Sequence, residues 1–157
     1  MKMTSVQLDR AVLLMAGVIP DEPVRRETDL YYLRRVLDAL HMNLRTAVHA
    51  LVTMRRVVAS LGEPYCMHVR PRVWELLFMA AVMLGDKMVE DRETSVSEWT
   101  RAFRVRDADL AVVERKILEL LQWRMHVEEA DMRRVVAEIC APDTPDPAPV
   151  SSEGPRN

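Results

Sequence analysis

Apolar residues recur along this chain at helical spacing, and few stretches alternate as a strand would. Leu30, Leu33, Leu37 and Leu40 step by three, four and three, with Thr28 or Asp29 placed to cap the helix they begin. Leu44, Val48, Leu51, Val57, Val58 and Leu61 form a second stripe, which stops at Gly62-Glu63-Pro64. Arg70-Pro71 opens a third helix, because proline is tolerated in a first turn where its missing N–H costs nothing. That helix carries LLFMAAVML, Leu76 to Leu84, which is apolar on every side and so must be enclosed by other helices. Ser95-Val96-Ser97-Glu98 reads as a capping box that starts a short helix with Trp99 and Phe103. A fifth helix follows Asp107 with Leu110, Val113, Ile117, Leu120 and Leu121 on one stripe, and Glu128 to Ile139 forms a last amphipathic segment.

The pattern predicts an all-α fold: five helices around a central apolar one, flanked by N- and C-terminal helices. The expected organisation is an N-terminal helix and extension over 1–27, a helical box over 28–127, a C-terminal helix over 128–140 and a tail over 141–157. The tail holds five of the nine prolines and one large apolar residue, Val150, too little burial to offset ordering entropy, so it is expected to be disordered. Near the start, Ala11 to Ile19 is apolar, but Asp9 and Arg10 interrupt the approach and no small-residue cleavage site follows. It is read as a short helix packing on the domain and not as a secretory signal.

Composition narrows the function by exclusion. A 157-residue chain with 49% hydrophobic and 29% charged residues suits one domain with a real core. A net charge of −2 gives no dominant basic surface for nucleic acid, and no apolar run is long enough to span a membrane. Two cysteines, Cys66 and Cys140, fit a reducing, intracellular setting, cytoplasmic or nuclear.

The search for reactive groups returns little. Glycines only at 17, 62, 85 and 154 leave no phosphate loop. Cys66-Met67-His68 lacks the second ligand pair a zinc site needs, and the acids Asp86, Glu90, Asp91 and Glu93 lack calcium-loop spacing. No serine sits in a nucleophile turn. The chain does not read as an enzyme, and no cofactor, metal or small-molecule substrate is expected.

One charged residue stands out. Only three lysines occur, and Lys87 closes the most apolar run in the protein. A lysine at a helix C-terminus is favoured by the helix dipole alone. Its surroundings suggest more. Ala80-Ala81-Val82-Met83-Leu84-Gly85-Asp86-Lys87-Met88-Val89-Glu90 resembles the third helix of a cyclin box, in which small residues, an apolar stretch and a lysine precede a bulky apolar residue and acids. Glu114 to Met125 is similar to the fifth helix, where a glutamate precedes a leucine-rich stripe and an aromatic. Ser95 to Phe103 matches the short tryptophan-bearing helix of single-box cyclins of the phosphate-signalling type. The resemblance covers roughly 28–127 and is strongest from Ala80 to Met125.

The resemblance implies a regulatory subunit that forms a heterodimer with a cyclin-dependent protein kinase and acts on its mobile helix. Lys87 and the glutamate opening the fifth helix, Glu114, map onto the kinase-gripping surface, with Met88, Glu90 and Ile117 beside them. Ser95, Glu98, Trp99, Ala80 and Ala81 take structural roles. Three departures are visible. Gly85-Asp86 stands where the family prefers two helix-tolerant small residues, with Asp86 placed to compete for Lys87. Arg55 replaces an aspartate in the second helix, so an internal ion pair is expected to be lost. Leu33 to Leu37 only faintly resembles a substrate-docking motif, and no substrate groove is carried over. Two alternatives stay open: a helical scaffold for a non-kinase partner, which Gly85-Asp86 favours, and a nucleic-acid-binding transcription module, which the charge disfavours.

Overall fold

The computed structural model describes residues 1–62, 69–90 and 94–142. Those residues form eight helices: α1 Ser5–Gly17, α2 Glu22–Glu27, α3 Leu30–Ala39, α4 Leu44–Leu61, α5 Pro71–Val89, α6 Val96–Phe103, α7 Asp107–Leu120 and α8 Glu129–Cys140. The only extended pairing among them is an isolated antiparallel bridge between Lys2 and Asn43. The all-α architecture read from periodicity is the one observed.

Local chemistry sets the helix ends. Thr4 and Gln7 form a capping box on α1, and Asp29 rather than Thr28 caps α3 by accepting from the Tyr32 N–H at 2.9 Å. Asn43 caps α4 through the Thr46 N–H at 2.9 Å. Gly62 ends α4 with φ at 73°, a backbone that side-chain-bearing residues rarely adopt. Pro71 is the first residue of α5. The short α2 was not anticipated from the apolar pattern, since none of its residues is fully buried. Its signal is Asp21 followed by Pro23 in the first turn.

The enclosed helix expected over Leu76 to Leu84 is α5, in which every residue from Leu77 to Gly85 is buried. It shares the centre with α4. The two run antiparallel, the start of α4 meeting the end of α5 at Gly85, and they form the largest helix–helix contact in the structure. α4 also packs against α1, α7 and α8, and α5 against α2 and α7. Ten residues of α4 are buried, among them the threonines Thr46 and Thr53. Their alanines, valines and threonines are short enough to let neighbours approach from several sides.

Gly85, expected as a weak spot inside a helix, has a packing reason. A Cβ at that position would lie 2.8 Å from the backbone oxygen of Thr46 and 3.2 Å from the Cβ of His49. Alanine is the better helix former by about 1 kcal/mol, but it does not fit between these backbones.

The aromatic residues divide. Trp74 is buried, and Trp99 is buried with its ring stacked on Phe103, centroids 5.8 Å apart. Trp123 is 68% exposed, on a turn where Gln122 and Trp123 both have positive φ. Cys66, Met67, His68, Asp91, Glu93 and nearly all of the Pro-rich tail lie outside the described residues.

Candidate functional site

Lys87 lies in the last turn of α5, and Glu114 lies on α7, 27 residues further along the chain. The fold brings them together: Lys87 Nζ donates to Glu114 Oε1 at 2.6 Å. Their side chains are 27% and 19% exposed, so the pair sits half-submerged at the seam between the two helices. At such a place an ion pair contributes only on the order of 1 kcal/mol to folding. What it does contribute is position, since each long side chain is held by the other.

Glu114 is not at the opening of its helix. It is the eighth residue of α7, whose first turn carries Asp107 and Asp109. Helix-dipole stabilisation fades beyond the first turn, so it gives no account of a carboxylate here. Lys87 does.

The neighbouring acids among the described residues, Asp86 and Glu90, are engaged elsewhere. Asp86 Oδ2 accepts from the Thr94 N–H at 3.1 Å, eight residues further along the chain. Glu90, the cap residue of α5, accepts from the side-chain amide of Asn43. Met88 projects outward at 50% exposure, so the surface beside the pair offers an apolar contact. Ile117, expected on this surface, is only 2% exposed. It lies on the core side of α7, lining an apolar cleft of about 200 Å³ with Val57, Leu61, Trp74, Leu77 and Leu120. The helical period explains the difference: Glu114 and Ile117, three residues apart, share a side of α7, but Ile117 is rotated inward against α5.

The supporting residues are set by local signals and packing. Ser95 Oγ accepts from the Glu98 N–H at 3.3 Å, and the Ser95 N–H donates to Glu98 Oε2 at 2.8 Å, which closes the capping box of α6. That box starts the helix that delivers Trp99 to the core. Ala80 and Ala81 are completely buried in α5.

Arg55 has a partner that the sequence did not indicate. Instead of a pairing within its own helix, its guanidinium makes two bonds to Glu138 of α8, at 3.0 and 2.5 Å. This fork holds the Glu138 carboxyl below its ordinary range, with burial opposing, and raises Arg55 correspondingly. Arg56 donates to the carbonyl oxygen of His126 at 2.8 Å and lies 3.7 Å from Asp131. The last helix is therefore clamped to α4 by two successive arginines. The only legible hint was the Met54-Arg55-Arg56-Val57 run itself.

Among the described residues no group of three His, Cys, Asp or Glu side chains could hold a metal ion, and no helix is long and apolar enough to cross a membrane.

The family model described as the cyclin N-terminal domain matches residues 7–126, about three-quarters of the chain, and the chain belongs to that family. The match takes in α1 and α2 as well as the helices that carry Lys87 and Glu114. No curated protein and no solved structure matches the chain.

Proposed function

We propose that this protein is a cyclin-like regulatory subunit that binds a cyclin-dependent protein kinase through the seam of α5 and α7 and activates it by positioning its regulatory helix. The observation that carries the reading is the Lys87–Glu114 pair, held at 2.6 Å and partly open to solvent in a chain of the cyclin family. A preformed ammonium–carboxylate pair presents donors and an acceptor side by side. The ammonium can donate to carbonyls of a partner backbone and the carboxylate can accept from its N–H groups. Met88 supplies the adjoining apolar surface.

In this reading the protein contributes no catalytic atom. It binds the kinase conformer whose helix glutamate reaches the catalytic lysine, and shifts the kinase population toward it by the difference in affinity. Intracellular action in cytoplasm or nucleus follows from the partner. The feature that favoured a non-kinase scaffold, Gly85-Asp86, has a role of its own: the glycine fits the α4 crossing and the aspartate holds the Thr94 N–H.

The test is a tagged capture from the source cells, wild type beside Lys87→Ala/Glu114→Ala, read by mass spectrometry and a kinase assay. Removing both members leaves no unpaired charge in the seam, so the fold is expected to survive with a loss of about 1 kcal/mol or less. The wild type is expected to retain a kinase and its activity, and the double variant to lose about tenfold or more in retention. A kinase retained equally by both would move the interface elsewhere. A different class of partner, protein or nucleic acid, with no kinase, would overturn the reading.

A further inference from the structure

The last turn of α5 is tied down from two directions. Asp86 accepts the Thr94 N–H through its side chain and the Glu90 N–H through its carbonyl oxygen, the latter at 2.9 Å. Glu90 is in turn held by Nδ2 of Asn43, 47 residues earlier in the chain. Asn43 is simultaneously the N-cap of α4: its Oδ1 accepts the Thr46 N–H, and its backbone bridges to Lys2. One amide side chain thus starts α4 with its oxygen and secures the end of α5 with its nitrogen. Aspartate could do the first and not the second, because it has no donor.

This junction lies one turn from the close crossing of α4 and α5 at Gly85 and Thr46. Lys87 sits between the two anchored residues, Asp86 and Glu90. The final carbonyls of a helix have no partners within it, and a last turn left to itself frays. A frayed turn here would release the backbone that aims Lys87 at Glu114.

We infer that Asn43 is a positioning residue for the kinase-binding surface, and that Glu90 serves this surface by holding Asn43, not by touching the partner. The inference rests on the function proposed above. Met88, by contrast, stays exposed and available for contact.

The variant that isolates the effect is Asn43→Asp. It keeps the capping acceptor, for which Asn and Asp are nearly equivalent, and turns the amide–carboxylate bond into two carboxylates facing each other. Two readouts are taken on the full chain: amide hydrogen exchange at Glu90 and Thr94 in the free protein, and affinity for the captured kinase. Asn43→Asp is expected to speed exchange at both amides and to weaken kinase binding about tenfold, the scale of one hydrogen bond to a charged group. Asn43→Asp/Glu90→Gln, which restores a donor on the other side, is expected to recover both. Asp29→Ala, which removes the cap of α3, serves as a control for general destabilisation and is expected to leave kinase affinity unchanged.

Unchanged exchange and affinity in Asn43→Asp would overturn the inference, as would failure of the swapped pair to restore binding. So would an equal affinity loss in Asp29→Ala. If the wild type binds no kinase, the proposed function falls and takes this assignment with it, whatever the exchange shows. If the wild type binds and Asn43→Asp binds equally well, the assignment falls alone.

Discussion

Toward α5, helix α4 presents small residues and comes so close that only glycine fits opposite the Thr46 carbonyl oxygen. Toward α8 it presents Arg55 and Arg56, whose side chains remain about one-third exposed and pair with Glu138 and Asp131. The first contact is steric and excludes water, so it draws nothing from surface ion pairs that salt would screen. The second draws its energy from burial of Val135 and Ile139, about 1.5–3 kcal/mol each, and its alignment from charge. One helix therefore has a side set by shape and a side aligned by exposed charge. The Lys87–Glu114 seam is built on the side set by shape, which suits the conformer selection proposed above.

The largest test of this contrast is Gly85→Val. A branched side chain against a backbone oxygen cannot be accommodated by a rotamer change alone, so the two helices must separate. The expected cost is about 3 kcal/mol, seen as a lower urea midpoint with unchanged slope. A loss well under 1 kcal/mol would show that α4 and α5 can slide apart, and the distinction between the two sides would collapse.

A smaller effect is expected across the α4–α8 clamp. A double-mutant cycle on Arg55→Ala and Glu138→Ala should give a coupling of about 1 kcal/mol in dilute buffer that shrinks in concentrated salt. Arg55 holds the Glu138 carboxyl below its ordinary value of 4.5. The coupling is therefore fully present above pH 4.5 and is lost as pH falls through the folded-state pKa. A coupling indifferent to both salt and acid would mean that shape, not charge, seats α8.

The smallest effect concerns His49, beside Gly85 at the helix crossing. Burial, followed by the charges of Arg45, His126 and Arg56, keeps its pKa below the ordinary 6.5. The folded state resists the proton that the unfolded state accepts. Stability from this residue is therefore complete above pH 6.5 and declines as pH falls toward the folded-state value. Melting temperatures taken downward from about pH 7.5 should show this decline in the wild type and a flatter profile in His49→Gln. Equal slopes would place the acid sensitivity elsewhere.

Much of the fold was legible because it is written locally. The all-round apolar run at Leu76 to Leu84 had to be enclosed, and it is. The Ser95–Glu98 box stands where its spacing put it, and the Thr4–Gln7 box on α1 carries the same signature. For α4 the sequence shows one apolar stripe, from Leu44 to Leu61, while Arg45, His49, Arg55 and Arg56 break the rest of its surface. Its central place became visible only with four neighbours around it. Of the candidate site, Lys87 and Glu114 were marked by the resemblance to the cyclin box. The burial of Ile117 was not, because the stripe that makes a helix amphipathic does not say how far round the neighbouring helix reaches.

The sequence by itself determined where most of the helices lie, which faces are apolar and that the fold is all-α, because caps, glycine, proline and the 3.6-residue period act within a few residues. Only the tertiary structure decided which charge meets which. Lys87 finds Glu114 across 27 residues, Asn43 finds Glu90 across 47 and Arg55 finds Glu138 across 83. Those pairings depend on the register and closeness of packed helices, and here the register passes through one absent Cβ at Gly85, whose meaning lies in the backbone opposite and not in its own neighbours.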